Sequence, residues 1–191
     1  MRRFMATLIV ASLLMPSGAT IAQDCTIAAY LDPAGTQSIG TFLPTPEDPL
    51  ISIYIVMFVE NSANAVAYKA NFEFYNQSWF LQARWQGSSG QGLFIDEDPT
   101  WAGTNVALGE CVLGFGGAPV LVEEYLFAVV GDELSEASVT LSANTNQHPA
   151  SPVYVTCNST KQSCEVGPRL LIVNPIPTRS ASFGKIKSLY N

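Results

Sequence analysis

Four cysteines, one histidine and a few acidic clusters are the residues of this chain equipped for chemistry, and their spacing restricts what each can do. A serine, histidine and acid relay would have to use His148, which sits in Gln147-His148-Pro149-Ala150-Ser151-Pro152, and no glycine-flanked nucleophile elbow occurs in the sequence. His148 therefore reads as a loop or strand-edge residue. Paired carboxylates are the remaining route to hydrolysis. Asp96-Glu97-Asp98, ahead of Pro99-Thr100-Trp101, is the densest cluster, followed by Glu123-Glu124 and Asp132-Glu133. Acidic residues beside strands are most often simply solvated. Asp96, Asp98 and Asn105 could also offer oxygens to calcium, although their spacing matches no EF-hand loop. Zinc sites use cysteines two to four residues apart, a spacing that Cys25, Cys111, Cys157 and Cys164 lack. No catalytic residue, metal or cofactor is assigned, and the chain reads as a non-enzyme.

Those four cysteines gain meaning from the start of the chain. Arg2 and Arg3 precede an apolar run from Met5 to Met15, then small residues ending at Ala22, the layout of a secretory signal peptide. The reading is a signal peptide over residues 1–22 and a mature chain from Gln23. This run of eleven residues spans only about 16 Å as a helix, short of a ~30 Å hydrocarbon core. Cys25 follows Ala22-Gln23-Asp24, so the small residue expected directly before a lipidated cysteine is missing. The later runs Ile51 to Val59 and Tyr125 to Val130 are too short for a membrane helix. The predicted location is secreted or extracytoplasmic, in a periplasm or at a cell surface, with no membrane span in the mature chain. There an even cysteine count indicates two disulfides, with three possible pairings. The polar stretch 158–163 suits a turn joining Cys157 to Cys164, which would leave Cys25 for Cys111.

Charge excludes one class of partner. Residues 23–160 hold 15 of the 16 acids against two basic residues, Lys69 and Arg84, whereas the chain from Lys161 onward has five basic residues and one acid. An acidic body without a basic stripe repels a phosphate backbone, so nucleic acid is not an expected partner. Charged residues make up 13% of the chain, about half the usual share, so hydroxyl, amide and glycine groups must carry much of the solvated surface.

The elements that would position these residues are strands. Val66, Tyr68, Ala70, Phe72 and Phe74 alternate with Ala65, Ala67, Lys69, Asn71 and Glu73, the period of an extended chain with one face buried. Trp79, Leu81, Ala83 and Trp85 alternate with Phe80, Gln82 and Arg84, and Ala137, Val139, Leu141 and Ala143 with Ser138, Thr140 and Ser142. This periodicity places Trp79 and Trp85 in the core and leaves Trp101 as the exposed aromatic candidate. Ile51 to Val59 is apolar on both faces, as suits a central strand covered from two sides. Further segments at 26–31, 105–112, 121–130, 153–157 and 170–173 bring the predicted strands to nine. Turn-rich stretches separate them, and strands without intervening helices must pack as two layers. The predicted fold is all-β, a two-sheet sandwich of immunoglobulin-like or jelly-roll type over residues 23–175. Residues 176–191 form a basic C-terminal tail, in which Phe183, Ile186 and Leu189 recur at the spacing of a short helix.

The opening of the mature chain, Ile27-Ala28-Ala29-Tyr30-Leu31-Asp32-Pro33-Ala34-Gly35-Thr36, resembles the I-x-x-Y-F-D-x-x-G-T start of uncharacterised exported bacterial proteins. The ending Phe183-Gly184-Lys185-Ile186-Lys187-Ser188-Leu189-Tyr190 resembles their W-G-x-I-K-x-L-Y close. Leu31 stands where phenylalanine is usual, and Phe183 where tryptophan is usual. In strand pattern these proteins are similar to cohesin-like sandwiches, which hold partners on bacterial surfaces. The resemblance implies export and a sandwich fold, and it carries over no catalytic residue. The predicted function is a secreted, non-enzymatic interaction module with a protein or glycan partner. Its alternative is a carbohydrate-binding or weakly hydrolytic domain using the acidic loop 96–98 and Trp101, with Asp96 and Asp98 as ligand-binding residues.

Overall fold

The computed structural model describes residues 24–45, 47–60, 62–75, 78–86, 93–97, 103–113, 117–130, 136–145 and 150–173. Residues 1–22, expected to be a signal peptide, and Asp98, Trp101, His148 and the expected basic tail lie outside the described residues. Within them the chain is all-β, without a helix. The strands are β1 (Cys25–Tyr30), β2 (Ile39–Gly40), β3 (Leu50–Val59), β4 (Ser62–Tyr75), β5 (Ser78–Gln86), β6 (Leu93–Glu97) and β7 (Thr104–Leu113). They continue as β8 (Pro119–Val130), β9 (Glu136–Ser142), β10 (Val153–Val155), β11 (Lys161–Ser163), β12 (Glu165–Val166) and β13 (Leu170–Ile172). The nine segments read from periodicity are all strands. The additional ones, β2, β6, β11 and β12, are too short or too polar to show a two-residue period.

One sheet has the order β12-β1-β3-β8-β5. The other runs β11-β10-β4-β9-β13-β2, with β7 also on β4 and β6 on β7. The long β4 organises the second sheet: residues 69–75 pair with β9, whereas 62–68 pair with β7 and 65–67 with β10. Its inward residues Val66, Tyr68 and Ala70 are buried against Ile53, Ile55, Met57 and Phe127 of the first sheet, so the core lies between the two layers. Toward the Tyr75 end this core becomes aromatic. The Phe74 ring stacks on Trp79 at 4.8 Å, and Phe72 meets Tyr125 and Phe127 at 5.1 and 5.2 Å.

As its two apolar faces predict, β3 is central and has a second cluster on its outer side. Val56, Tyr54 and Phe58 pack there with Ala28, Tyr30 and Leu121. The loop after β1 covers part of this face, and it holds the opening motif. The Asp32 carboxylate accepts backbone N–H groups from Ala34 at 2.9 Å and Thr36 at 3.0 Å. Gly35 has φ +69°, and a Cβ there would stand 2.6 Å from the Phe58 ring. Tyr30 meets the same ring edge-on at 6.2 Å. The motif residues thus build a loop closure.

Two expectations from the sequence are corrected. The disulfides are Cys25–Cys164 and Cys111–Cys157, with Cα separations of 4.7 and 5.6 Å, and not Cys157–Cys164 with Cys25–Cys111. The polar turn does return β11 beside β10, but Cys157 lies in that turn whereas the Cys164 N–H bonds to the Pro152 carbonyl at 2.8 Å. The two cysteines therefore sit at opposite ends of the hairpin. In the chain-entropy description, closing loops of 139 and 46 residues is worth about 5 and about 4 kcal/mol before native strain.

The second correction concerns β5. A bulge between Leu81 and Ala83 shifts its register against β8, so Leu81 faces Phe127 but Arg84 faces Tyr125. One inserted residue reverses the facing of everything after it. Trp79 stays against the core, whereas Trp85 turns outward and is 47% exposed.

Candidate functional site

Reversed facing brings Arg84 onto the inner side of β5, where it meets Glu123 of β8. Glu123 is fully buried, the one buried charged residue among the described residues. The Arg84 Nε donates to Glu123 Oε1, and the Tyr68 hydroxyl donates to Oε2. The Tyr125 hydroxyl also donates to Oε2, at 3.0 Å. Arg84 Nη2 continues to Thr104 Oγ1 at 2.7 Å, and its guanidinium lies 5.3 Å from the Tyr125 ring centroid. Burial pushes the Tyr68 hydroxyl well above the usual tyrosine range. It raises Tyr125 too, against the opposing pull of Arg84. Both phenols therefore remain protonated donors, and the carboxylate is paired and hydrogen-bonded as a buried charge must be.

This constellation resembles catalytic machinery in composition but not in access. The carboxylate itself is fully buried and engaged by three donors, whereas the Arg84 side chain keeps about a fifth of its surface exposed. The donors tie Glu123 of β8 to Arg84 of β5, Tyr68 of β4 and Tyr125 of its own strand.

Open space lies on the other side of β4. Val66 and Tyr68 point inward, so Ala65 and Ala67 point outward. The ladder places Ala65 between Val155 of β10 and Ala107 of β7, and Ala67 between Val153 and Asn105. Alanines flanked by longer side chains leave a trough of about 290 Å³, lined by Ala65, Ala67, Val153, Val155, Asn105 and Lys161. Lys161 enters because β11 pairs it with Val155. The Asn105 Oδ1 accepts from Asn144 Nδ2 at 3.3 Å.

The register also locates one acidic candidate. Asp96 of β6 pairs with Asn105, which pairs with Ala67, so Asp96 stands on the same rung as the trough. Among the described residues, no group of three or more His, Cys, Asp or Glu side chains could hold a metal ion. Sequence reasoning named Glu123 among the paired carboxylates and Tyr68 on a buried face, but missed that Arg84 joins them and that Trp85 faces outward. Glu124, the neighbour of Glu123, faces out and accepts from Ser52 Oγ at 2.6 Å.

Solved structures similar to this chain include cohesin domains. The seventh ScaB type I cohesin of Pseudobacteroides cellulosolvens aligns with a TM-score of 0.47 and 7% identity, over 80% of this chain and 95% of that one. A non-cellulosomal cohesin from the hyperthermophilic archaeon Archaeoglobus fulgidus gives 0.45 and 11%, over 79% and 92%. The sixth cohesin of scaffoldin B from Acetivibrio cellulolyticus, solved in complex with a Cel5 dockerin mutant, gives 0.42 and 10%, over 79% and 99%. No protein-family model and no curated protein matches the sequence. Among the described residues, no helix is long and apolar enough to cross a membrane.

Proposed function

We propose that this chain is an exported, non-enzymatic interaction module that holds a protein partner against the outer face of β4, β7 and β10. The observation that carries the reading is the trough over Ala65 and Ala67. At about 290 Å³ it lies at the lower limit of pockets that enclose a small ligand, yet it admits one or two side chains of a docking segment. Its lining is mainly apolar, and Lys161 and Asn105 at its sides supply direction for polar contacts. The two disulfides suit an oxidising compartment outside the cytoplasm, as the signal-peptide reading requires.

The test fills the trough. Ala67→Arg inserts a long side chain at the trough floor and blocks the site, with an unchanged melting temperature as the check that the fold is retained. The wild-type chain and the variant are offered the extracellular proteins of the source organism, with crosslinking and mass spectrometry as readout. The expected result is a protein crosslinked to residues 65–67 or 153–155 of the wild type and lost from Ala67→Arg. Equal capture by both chains would overturn this placement.

A glycan is the second reading, favoured by one specific observation. Trp85 stands outward on the rung of Glu124, whose carboxylate engages Ser52. An exposed indole beside hydroxyl and carboxylate groups is a surface on which a sugar ring can stack. Retention on insoluble polysaccharides that Trp85→Ala abolishes and Ala67→Arg leaves intact would favour this reading over the first.

A further inference from the structure

The walls of the trough stand on opposite sides of β4. Residues 65–67 pair with both β10 and β7, and a strand has one partner on each edge. Val155 and Ala107, which both pair with Ala65, are therefore two strand spacings apart, about 9.5 Å. A few residues further the walls converge. The Cα atoms of Cys111 on β7 and of Cys157, just after β10, are only 5.6 Å apart. The register shows how this comes about. β7 pairs Ala107 with Ala65 and Val112 with Ala63, so residues 108–111 stand against the single residue Asn64 of β4. The surplus leaves the ladder through Gly109, whose φ of +78° is a left-handed conformation that glycine adopts without strain.

Leu108 is buried, whereas Gly109, Glu110 and Cys111 are exposed. The surplus therefore crosses β4 on its outer side, and the Cys111–Cys157 bond arches over the end of the trough nearest Ser62. Cys157 is anchored there, its N–H donating to Ser62 Oγ at 3.3 Å. The other disulfide has a different setting. Cys25 and Cys164 are 2% and 0% exposed and belong to the core, whereas Cys111 is open to solvent and Cys157 half-buried. Thiol–disulfide exchange requires an attacking thiolate to reach a sulfur atom, so the bond over the trough is the accessible one of the two.

We propose that Cys111–Cys157 is a redox clasp on the trough: intact, it holds β7 and β10 at a fixed separation across β4, and reduced, it frees residues 108–111 and lets the walls part. The inference rests on the partner reading given above and supplies the regulation of that site. The reductant is a dithiol. One of its thiolates attacks the Cys111 sulfur, and the Cys157 sulfur leaves as a thiolate that takes up a proton. The donor's second thiol then displaces Cys111 from the mixed disulfide. The donor loses two electrons and two protons and ends as a disulfide, and the chain gains two thiols. Walls that are no longer preorganised hold a docking segment more weakly, so the partner is released. Cys25–Cys164 stays closed throughout, and the sandwich survives the switch.

Graded dithiothreitol on the folded full chain, followed by alkylation and mass spectrometry, tests the order of opening. Cys111 and Cys157 should be alkylated at a reductant concentration about tenfold below that needed for Cys25 and Cys164. At that concentration amide exchange of the 105–108 and 153–155 peptides should speed by about tenfold, while the 53–57 peptide of β3 stays unchanged. Both bonds opening together, or unaltered exchange beside the trough, would overturn the proposal. The oxidised chain, the selectively reduced chain and a double variant Cys111→Ser with Cys157→Ser are then offered the same extracellular proteins of the source organism. The protein crosslinked to the trough of the oxidised chain should fall by about tenfold on the other two. The reduced chain keeps the test decisive where the serine variant does not fold. Equal capture by oxidised and reduced chains would overturn the clasp and leave the partner reading standing. No capture by the oxidised chain would overturn the partner reading, and this regulation with it.

Discussion

Consecutive residues of β4 serve two unlike regions: Tyr68 donates inward to the sealed carboxylate of Glu123, and Ala67 faces outward onto the trough floor. The inner region is charged, fully hydrogen-bonded and closed. The outer one is apolar, shallow and open. The inner polar groups are enclosed, whereas the trough is lined by alanine and valine with Asn105 and Lys161 at its sides. A strand with a period of two keeps these tasks on opposite faces, so stability and recognition should respond to different substitutions.

Glu123→Ala would disturb this separation most. It leaves Arg84 and two tyrosines inside the sandwich without their acceptor, and urea denaturation should show a loss of about 3–5 kcal/mol. The double variant Arg84→Met with Glu123→Leu should recover only the part due to the unpaired charge, because the Tyr68 and Tyr125 hydroxyls still lack their acceptor. Tyr68→Phe removes one donor and should cost about 1–2 kcal/mol.

The tyrosines also set an alkaline limit. Burial raises the Tyr68 and Tyr125 hydroxyls above the usual value near pH 10, so the folded state holds their protons more tightly than the unfolded state. Their contribution is complete below about pH 10 and is lost as pH rises through the raised values. A pH series of melting temperatures should fall on the alkaline side, less steeply for Tyr68→Phe. On the acidic side, Glu73 is held below the usual carboxylate range by hydrogen bonds from Tyr75 and Ser138, with Arg169 assisting. Its contribution is present above that range and is lost as pH falls through the lowered value, a small effect because the group is exposed. Trp85→Ala should change stability least, by about 0.5 kcal/mol or less. A larger loss would mean that this indole belongs to the packed interior after all.

Periodicity made the architecture legible, because an unbroken strand has no second way to bury Val66, Tyr68, Phe72 and Phe74 together. It failed at Trp85 because a bulge leaves no mark in alternation: the residues look the same whether or not one has slipped. A different signal was present. Glu123 and Glu124 are adjacent inside an apolar strand, so one of them must face inward, and a buried carboxylate needs a cation. The body between residues 23 and 160 has only Lys69 and Arg84 to supply it. The cysteine pairing was illegible for a geometric reason: a hairpin read correctly from its turn still leaves open which residues stand at its two ends. The opening motif was visible as a pattern, but its meaning needed the ring of Phe58, which lies on another strand.

The Cys25–Cys164 bond has a mechanical consequence. Tension applied between Cys25 and Val173 crosses that covalent bond and then only the short stretch through β12 and β13, so the loop of 139 residues it closes carries none of the load. Opened by a reductant along with its companion, the same chain could pay out roughly 470 Å of contour. In the oxidised state, a pulled molecule should give way at its margins before the face proposed to hold a partner is distorted.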